Sequence, residues 1–553
     1  MVKILSHQLN FTVGDIQGNY QKILQAYQKS CQKNAQLAVF SELAISGYPP
    51  QDLLLKQHFI DECLKAINEL SKATKDQDCA ILVGAPNQTQ DRFGNKHLEN
   101  CAFYLKDGEV IDIISKKDLP NEKVFDEKRY FKAANTLKTI QLGDKRIAVL
   151  ICQDLWNLKN SFLLKERIFN AIIAINASPY NTNKLQKRHQ VAEKFCHYLQ
   201  APLIYLNQIG GQDNLVFDGS SFILNQQGVV INQAKSFQED CLNLDLNSLD
   251  KQESNPSLLK QDINKELSDI YQAIILATRD YVKKSGFKKV IIGLSGGIDS
   301  AFCACIASDA LGSDNVNLYA LPTRYSSKES EQDALLNAKN LDNNLKIISI
   351  DDIFSQFLTT LKPEFKDTKP NIAEENIQSR IRGNILMALA NKFNYLMLTC
   401  GNKSEMAVGY ATLYGDMCGA FNPLKDLYKT KIYQLAKWRN QNIPEISIFK
   451  KTNLIPENIL TKEPTAELKE NQKDSDSLPE YEILDQILYQ LIEQEKSIED
   501  IANSGINEKI VKEVANLFYK SEYKRRQSPI GAKISPMSFD FDRRYPIINH
   551  FKD

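Results

Sequence analysis

Two groups of residues in this chain have the types and spacing to do chemistry. The first lies in Val290–Ala301, VIIGLSGGIDSA. An apolar run ends in Gly293 and Leu294, and Ser295-Gly296-Gly297-Ile298-Asp299-Ser300 follows. Behind it AFCACIASDALG has the spacing of a helix that closes on Gly312. Strand, glycine turn and helix in that order form an anion cradle: glycines let backbone N–H groups converge, two serines add hydroxyls, and the helix N-terminus adds partial positive charge. The Lys before Ser/Thr of the commoner nucleotide loop is absent, and Asp299 stands in the turn instead. An acid beside phosphates predicts a magnesium ligand. The second group is Glu42, Lys116 and Cys152, each at or just past the end of a short apolar run. Singly they read as a surface acid, a surface base and a small buried thiol. Together they describe nucleophilic attack on a carbonyl or nitrile carbon. A carboxylate moves the thiol proton, and an ammonium stabilises the oxyanion and lowers the thiol pKa.

Positioning such groups requires strands that end at a common edge. Residues 1–246 alternate short apolar runs with helical patterns, the mark of an α/β layered domain. The N-terminal MVKILSHQLNFTVGD predicts a strand entering a loop. Further strands are predicted at Leu37–Phe40, Ala80–Gly84, Ile147–Ile151, Ala171–Asn176, Pro202–Asn207 and Ser221–Leu224. Residues 247–261, NSLDKQESNPSLLKQ, break the alternation and predict a linker. From 262 to 553 a second domain begins with a helix over Lys265–Lys284, followed by the strand at Val290, a strand at Val316–Leu321 and one at IISID. Strands alternating with helices predict a parallel, doubly wound sheet, whose ligands bind beyond the carboxyl ends of the strands. The glycine turn lies at such an end.

The first half resembles the nitrilase superfamily through FSELAISGYPP, KxxLP, VFDEKRYF and the NASPY segment. That resemblance implies an α-β-β-α sandwich with Glu42 as general base, Lys116 (rather than Lys117) as oxyanion-side cation, Cys152 as nucleophile and Glu127 as an auxiliary acid. In ammonia-releasing relatives an S-P-x-x-x-x-K/R stretch binds glutamine, which implies Ser178 and Lys184 here. Glu122 stands where relatives carry a Tyr that lines the glutamine pocket, and Gln153 where many carry Glu. The glycine turn resembles the pyrophosphate loop of the ATP pyrophosphatases. EENIQSRIRGN, LTCGNKSEMAVGYATLYGDMCGAFNPLKDLYKT, PTAEL and SEYKRRQSP then resemble the NAD synthetases. The fold class implied is α/β: a nitrilase-like sandwich followed by a doubly wound parallel-sheet ATP pyrophosphatase (adenine nucleotide alpha hydrolase-like) domain. By resemblance ATP is bound by Gly293, Leu294, Ser295, Gly296, Gly297, Ile298, Asp299, Ser300, Arg382, Cys400, Lys429 and Thr465. Deamido-NAD falls to Asn376, Arg380, Glu405 and Lys524, and magnesium to Asp299 and Glu405. Cys400 replaces a Thr of many relatives, and the acidic, polar stretch 470–481 is expected to be a surface loop.

Composition narrows the partners. Over 553 residues Lys+Arg and Asp+Glu are equal at 68 each, so no global field draws the chain to nucleic acid or an anionic membrane. No apolar run approaches the roughly 20 residues of a membrane helix, and the N-terminus lacks the apolar segment of an export signal. The 11 cysteines show no metal-like pairing, and Cys303 and Cys305, two apart in the predicted helix, should face different ways. A reduced cytoplasmic protein is expected, and family likeness implies a homo-oligomer. Joined, the halves imply hydrolysis of glutamine at Cys152 and delivery of ammonia, through an internal channel, to deamido-NAD adenylated by ATP. Two alternatives remain at this level: an amidotransferase acting on a related acid such as nicotinate mononucleotide, or an ammonia-dependent synthetase with a degenerate nitrilase-like binding domain.

Overall fold

The computed structural model describes residues 2–91, 93–165, 169–247, 262–470, 472, 474–476 and 478–550. The chain forms two compact units, Met1–Asp262 and Ile263–Asp553. The predicted linker 247–261 lies outside the described residues except for Asn247.

The first unit contains β1 (Lys3–Gln8), β2 (Leu37–Val39), β3 (Ala80–Gln90), β4 (Lys96–Lys106), β5 (Glu109–Ser115), β6 (Lys138–Leu142) and β7 (Lys145–Ile151). It continues with β8 (Ala171–Asn176), β9 (Leu203–Asn207), β10 (Ile209–Gln212), β11 (Leu215–Asp218), β12 (Phe222–Leu224), β13 (Val230–Gln233) and β14 (Asp240–Asp245). Two six-stranded sheets result, ordered β14-β1-β2-β3-β4-β5 and β13-β12-β9-β8-β7-β6, and β10 and β11 pair separately. The strands β1, β2 and β3 are parallel, as are β7, β8 and β9, with antiparallel strands outside them.

Every residue of β8 and β9 is buried, as continuous apolar runs between two covered faces require. Alternate side chains then serve different layers. Ile4, Val39 and Leu82 meet Ile147, Val149, Ile173 and Ile204 between the sheets. Their neighbours Leu5, Ala38 and Ile81 pack on Ile23, Tyr27, Ile67 and Leu70 of the helices Ile16–Gln32 and Gln57–Ala73. Ala148, Ile172 and Tyr205 pack on Ala192 and Phe195 of the helix Lys184–Leu199. The unit is therefore an α-β-β-α sandwich. Predicted strands recur within a residue or so at most ends, but Ala80–Gly84 continues to Gln90, because β3 pairs along its length with β4.

The second unit holds β15 (Val290–Gly293), β16 (Val316–Ala320), β17 (Leu345–Ile347) and β18 (Leu396–Met397), all parallel, in the order β17-β16-β15-β18. The strand expected at IISID is corrected to Leu345–Ile347, because Asp351 already opens the helix Asp351–Leu361. The expected helix at Lys265 starts at Ile263 and ends at Lys284. The order reverses between β15 and β18, and a crevice for ligand opens at such a switch point. Behind the glycine turn runs the helix Ile298–Leu311, buried on all sides except at Asp299 and stopped by Gly312 at φ 83°. A helix with no polar face belongs in a core, which explains its apolar composition.

Candidate active sites

In the first unit β2, β5, β7 and β8 deliver Glu42, Lys116, Cys152 and Ser178 just beyond their last residues. Glu42 and Lys116 are fully buried, and Cys152 is 4% exposed. The Lys116 ammonium donates to Glu42 Oε1 at 2.7 Å and to both oxygens of Glu127 at 2.8 Å. Glu42 also accepts from Asn100 Nδ2 at 2.8 Å and from the Ala177 N–H at 3.0 Å, and Tyr48 donates to Glu127 at 3.0 Å. Each carboxylate oxygen of the cluster thus has at least one donor, the condition under which buried charge is tolerated. Burial alone would push the Lys116 ammonium down, but Glu127 and Glu42 more than offset it and hold it above the ordinary lysine range.

Cys152 has φ 46°, a left-handed backbone that a non-glycine residue adopts at a cost of about 1–3 kcal/mol. Its N–H donates to the Ile175 carbonyl at 2.9 Å, and its thiol lies in the field of the Glu42 carboxylate and the Lys116 ammonium. The expectation of a lowered thiol pKa is corrected. Lys116 does pull it down, but burial and the Glu42 carboxylate push harder, and the thiol sits above the ordinary cysteine value. The proton therefore waits on sulfur beside Glu42, which suits a general-base mechanism.

Asp154, one of the residues sequence reasoning missed, ties the strand ends together. It accepts from the Lys117 and Asp118 N–H groups at 3.0 and 2.7 Å and from the Ile151 N–H at 3.1 Å, joining the turn after Lys116 to the strand before Cys152. Arg188 is another. It is fully buried, pairs with Asp218 through two bonds of 2.8 Å and donates to the Ser178 hydroxyl at 3.2 Å and carbonyl at 2.8 Å. Lys184 Nζ lies 4.2 Å from the centre of the Trp156 ring, and burial with Arg188 nearby lowers its pKa to about 8. Glu122 is exposed, and Gln153 begins the short helix Gln153–Trp156.

In the second unit a cavity of about 360 Å³ opens where β15 and β18 diverge. Gly293, Leu294, Ser295, Gly297, Ile298, Asp299, Ser300, Arg382, Cys400, Glu405, Lys429 and Thr465 all line it. Gly296 has φ 82° and lies against the Ser330 carbonyl. The Ser295 and Ser300 hydroxyls are 3.1 Å apart, and the Gly297 N–H donates to the Ser295 hydroxyl at 3.2 Å. Asp299 accepts from Lys429 Nζ at 2.5 Å and from Asn402 Nδ2 at 3.1 Å. Glu405 accepts from the same Lys429 ammonium at 3.3 Å. Burial pushes the Glu405 carboxyl up to about 8, against the pull of Lys429. Asn402 and Glu405 cap the helix Lys403–Val408 reciprocally, which fixes Glu405; the N-x-x-E spacing in GNKSE is the signal that announces this.

Asn376, Arg380 and Lys524 converge elsewhere, on 409–413. Asn376 accepts from the Thr412 hydroxyl at 2.7 Å, Arg380 donates to the Leu413 carbonyl at 3.2 Å, and Lys524 donates to the Gly409 and Ala411 carbonyls at 2.7 and 2.8 Å. Tyr410 and Thr412 of this segment line the cavity. The surface-loop expectation for 470–481 is corrected at two points: Asp474 and Leu478 are buried, and Asp474 lines the cavity and accepts from Tyr481 at 2.9 Å. Glu467 was also missed. It accepts from the Ser327 and Ser330 hydroxyls at 2.8 and 2.7 Å, across the glycine turn's neighbour helix Lys328–Asn340.

Both units match known families. Residues 4–252 match the carbon-nitrogen hydrolase family and residues 270–528 the NAD synthase family. A glutamine-dependent NAD(+) synthetase of Acinetobacter baylyi is 41% identical over 100% of this chain and 99% of its own. One from Thermotoga maritima is 40% identical with the same coverage. The chain belongs to the glutamine-dependent NAD(+) synthetases. Among solved structures, the Acinetobacter baumannii member of this family in complex with ADP is 39% identical, with TM-score 0.77 over 99% of this chain and 98% of that one. The fold also matches that of the family member from Cytophaga hutchinsonii, with TM-score 0.83 over 99% of this chain and 98% of that one at 20% identity. Among the described residues no helix is long and apolar enough to cross a membrane.

Proposed function

We propose that the first unit hydrolyses glutamine and that the second uses the ammonia to amidate adenylated deamido-NAD, with ATP going to AMP and pyrophosphate. The observation that carries this reading is the pair of complete sites in one chain: a buried Glu42–Lys116–Cys152 cluster, and an anion cradle with an acid–lysine–acid group beside it.

In the first site Glu42 takes the Cys152 proton as sulfur attacks the amide carbon. Lys116 faces the oxygen that gains charge, Glu42 returns the proton to the departing ammonia, and water brought in beside Glu42 opens the thioester. Ser178 and Lys184 bind the amino-acid end, the ammonium pairing the substrate carboxylate. Glu122, being exposed, leaves its side of the glutamine pocket without the aromatic wall that a Tyr would provide.

In the second site the 293–300 turn holds ATP phosphates, with Arg382, Cys400, Lys429 and Thr465 around the nucleotide. Asn376, Arg380, Glu405 and Lys524 serve the deamido-NAD side, the first two and Lys524 by shaping 409–413. Lys429 neutralises charge as the nicotinate carboxylate attacks the α-phosphorus. Asp299 and Glu405 flank one ammonium, and among the described residues no group of three His, Cys, Asp or Glu could hold a metal. Two carboxylates suit magnesium when substrate phosphates complete its shell, so these residues fit the ion. When bound, it would stabilise the leaving pyrophosphate. We further propose, from the family likeness, that the enzyme is a homo-oligomer of the cytoplasm; sedimentation and cell fractionation test this.

ADP in the Acinetobacter baumannii relative supports the nucleotide reading. Substrate choice is tested by comparing deamido-NAD with nicotinate mononucleotide, each with ATP and ammonia. Turnover confined to deamido-NAD is expected; equal turnover of the mononucleotide would overturn the assignment. Asp299→Asn is expected to abolish AMP formation, and unchanged AMP formation would refute its role.

A further inference from the structure

Eleven free cysteines include one on the wall of the ATP cavity and a second directly behind it. Cys400 follows β18, lines the cavity and is half-buried, whereas Cys303 lies on the helix behind the glycine turn and is fully buried. The Cys303 thiol donates to the Thr399 carbonyl at 3.8 Å, which sets it beside Cys400, the next residue along the cavity wall. Cys305, two residues on, faces Asp309 and Asn337 instead. One thiol is open to a small solute in the cavity, and the other is enclosed and within reach of it.

We propose that Cys303 and Cys400 form a reversible disulfide that switches off the synthetase site, hydrogen peroxide being the oxidant. The Cys400 sulfur attacks one peroxide oxygen; the O–O bond breaks, water leaves, and Cys400 becomes a sulfenic acid. The Cys303 sulfur then attacks that sulfur, the S–O bond breaks, and hydroxide departs with the Cys303 proton as a second water. Two thiols lose two electrons, and one peroxide becomes two waters. Forming the bond brings the two sulfurs to about 2 Å from each other. The wall Thr399–Gly401 is thereby drawn toward the helix that starts at the glycine turn. The two sides of the switch-point crevice close on each other where phosphates are to sit. A Thr at position 400 has no such chemistry, so the sensitivity belongs to chains with this pair.

The proposal rests on the ATP reading of this cavity, and the test separates the two. Full-length Cys152→Ala, which removes the other reactive thiol, is treated with hydrogen peroxide and assayed for NAD formation from deamido-NAD, ATP and ammonia. Non-reducing peptide mapping locates the bond, which is necessary because Cys31 and Cys79 form a comparable thiol pair in the first unit. We expect a Cys303–Cys400 cross-link, at least tenfold loss of activity, recovery on adding dithiothreitol, and resistance in the Cys152→Ala/Cys303→Ala double variant. Cys303 is absent from the lining of this cavity and is not among the residues assigned to substrate, and the untreated double variant assayed alongside separates loss of the bond from any change in the cavity wall. Loss of activity with Cys400 oxidised but no cross-link, or equal loss in the double variant, would overturn the proposal. A cross-link that forms equally fast with and without saturating ATP would uphold the disulfide and refute the placement of ATP against Cys400.

Discussion

In the turn after β15, Gly296 has φ 82°, and a Cβ built there would come to 2.1 Å from the Ser330 carbonyl oxygen. Ordinary contact begins at 3.4 Å, so with Gly296→Ala the turn or the 327–330 segment must yield by about 1.3 Å. Both are backbone, and neither is the free end of a side chain. The positive φ adds about 1–2 kcal/mol of backbone strain, which lowers stability modestly. Misplacing a positioning element by about 1 Å costs on the order of a hundredfold in rate. That corresponds to about 2.7 kcal/mol at 1.36 kcal/mol per factor of ten. The assay is NAD formation with saturating ammonia and varied ATP, and the expected result is a roughly hundredfold fall in kcat/KM for ATP. Basal glutamate release from glutamine without ATP serves as the folding control and should stay within about twofold, since the altered turn lies outside the first unit. A variant whose kcat/KM for ATP stays within about threefold of wild type would refute the reasoning, because the turn would then not be holding phosphates at these atoms.

Further outcomes follow from the charges. Lys116→Met leaves the buried Glu42 and Glu127 carboxylates facing each other without their cation. Glutamine-dependent turnover should fall by more than about a thousandfold, with about 3–5 kcal/mol lost from the first unit in denaturant melts. Lys184 has its free-enzyme pKa lowered to about 8, so it is charged below that pH and neutral above it. Pairing with the glutamine carboxylate should therefore be lost as pH rises through about 8; kcat/KM for glutamine should show this limb, and Lys184→Arg should remove it. In the second unit, fully buried Asp309 accepts from Arg439 at 2.7 and 2.9 Å, from Tyr271 at 2.7 Å and from Ser447 at 2.6 Å. Asp309→Ala should cost about 3–5 kcal/mol by thermal or denaturant unfolding, and Asp309→Asn less.

Much of both sites was legible because strand ends carry local signals. Cys152, Glu42 and Ser178 each follow an apolar run that is a parallel strand, and the residues just past such strands gather beyond their carboxyl ends. The glycine turn was readable for the same reason, with Gly312 marking the far end of its helix. What stayed hidden depends on partners distant in sequence. Arg188 is one of several bases on the helix Lys184–Leu199, and only its folded partners Asp218 and Ser178 mark it out. Asp474 belongs to a polar stretch whose composition predicts exposure, and only Tyr410 and Tyr481 turn it inward. The thiol pKa was misjudged because a nearby ammonium is visible as a motif, whereas complete desolvation is a property of the folded layers. The IISID strand slipped because Asp351 starts the next helix inside the apolar run.

On this reading one chain carries two separable activities joined by ammonia. It is tested most directly by measuring NAD formation from deamido-NAD and ATP with either glutamine or ammonium as nitrogen donor, in wild type and in Cys152→Ala. Wild type should use both donors, while Cys152→Ala should lose glutamine use by at least a thousandfold and still use ammonium, as removal of a covalent nucleophile requires. Equal use of the two donors by the variant, or loss of both, would contradict it.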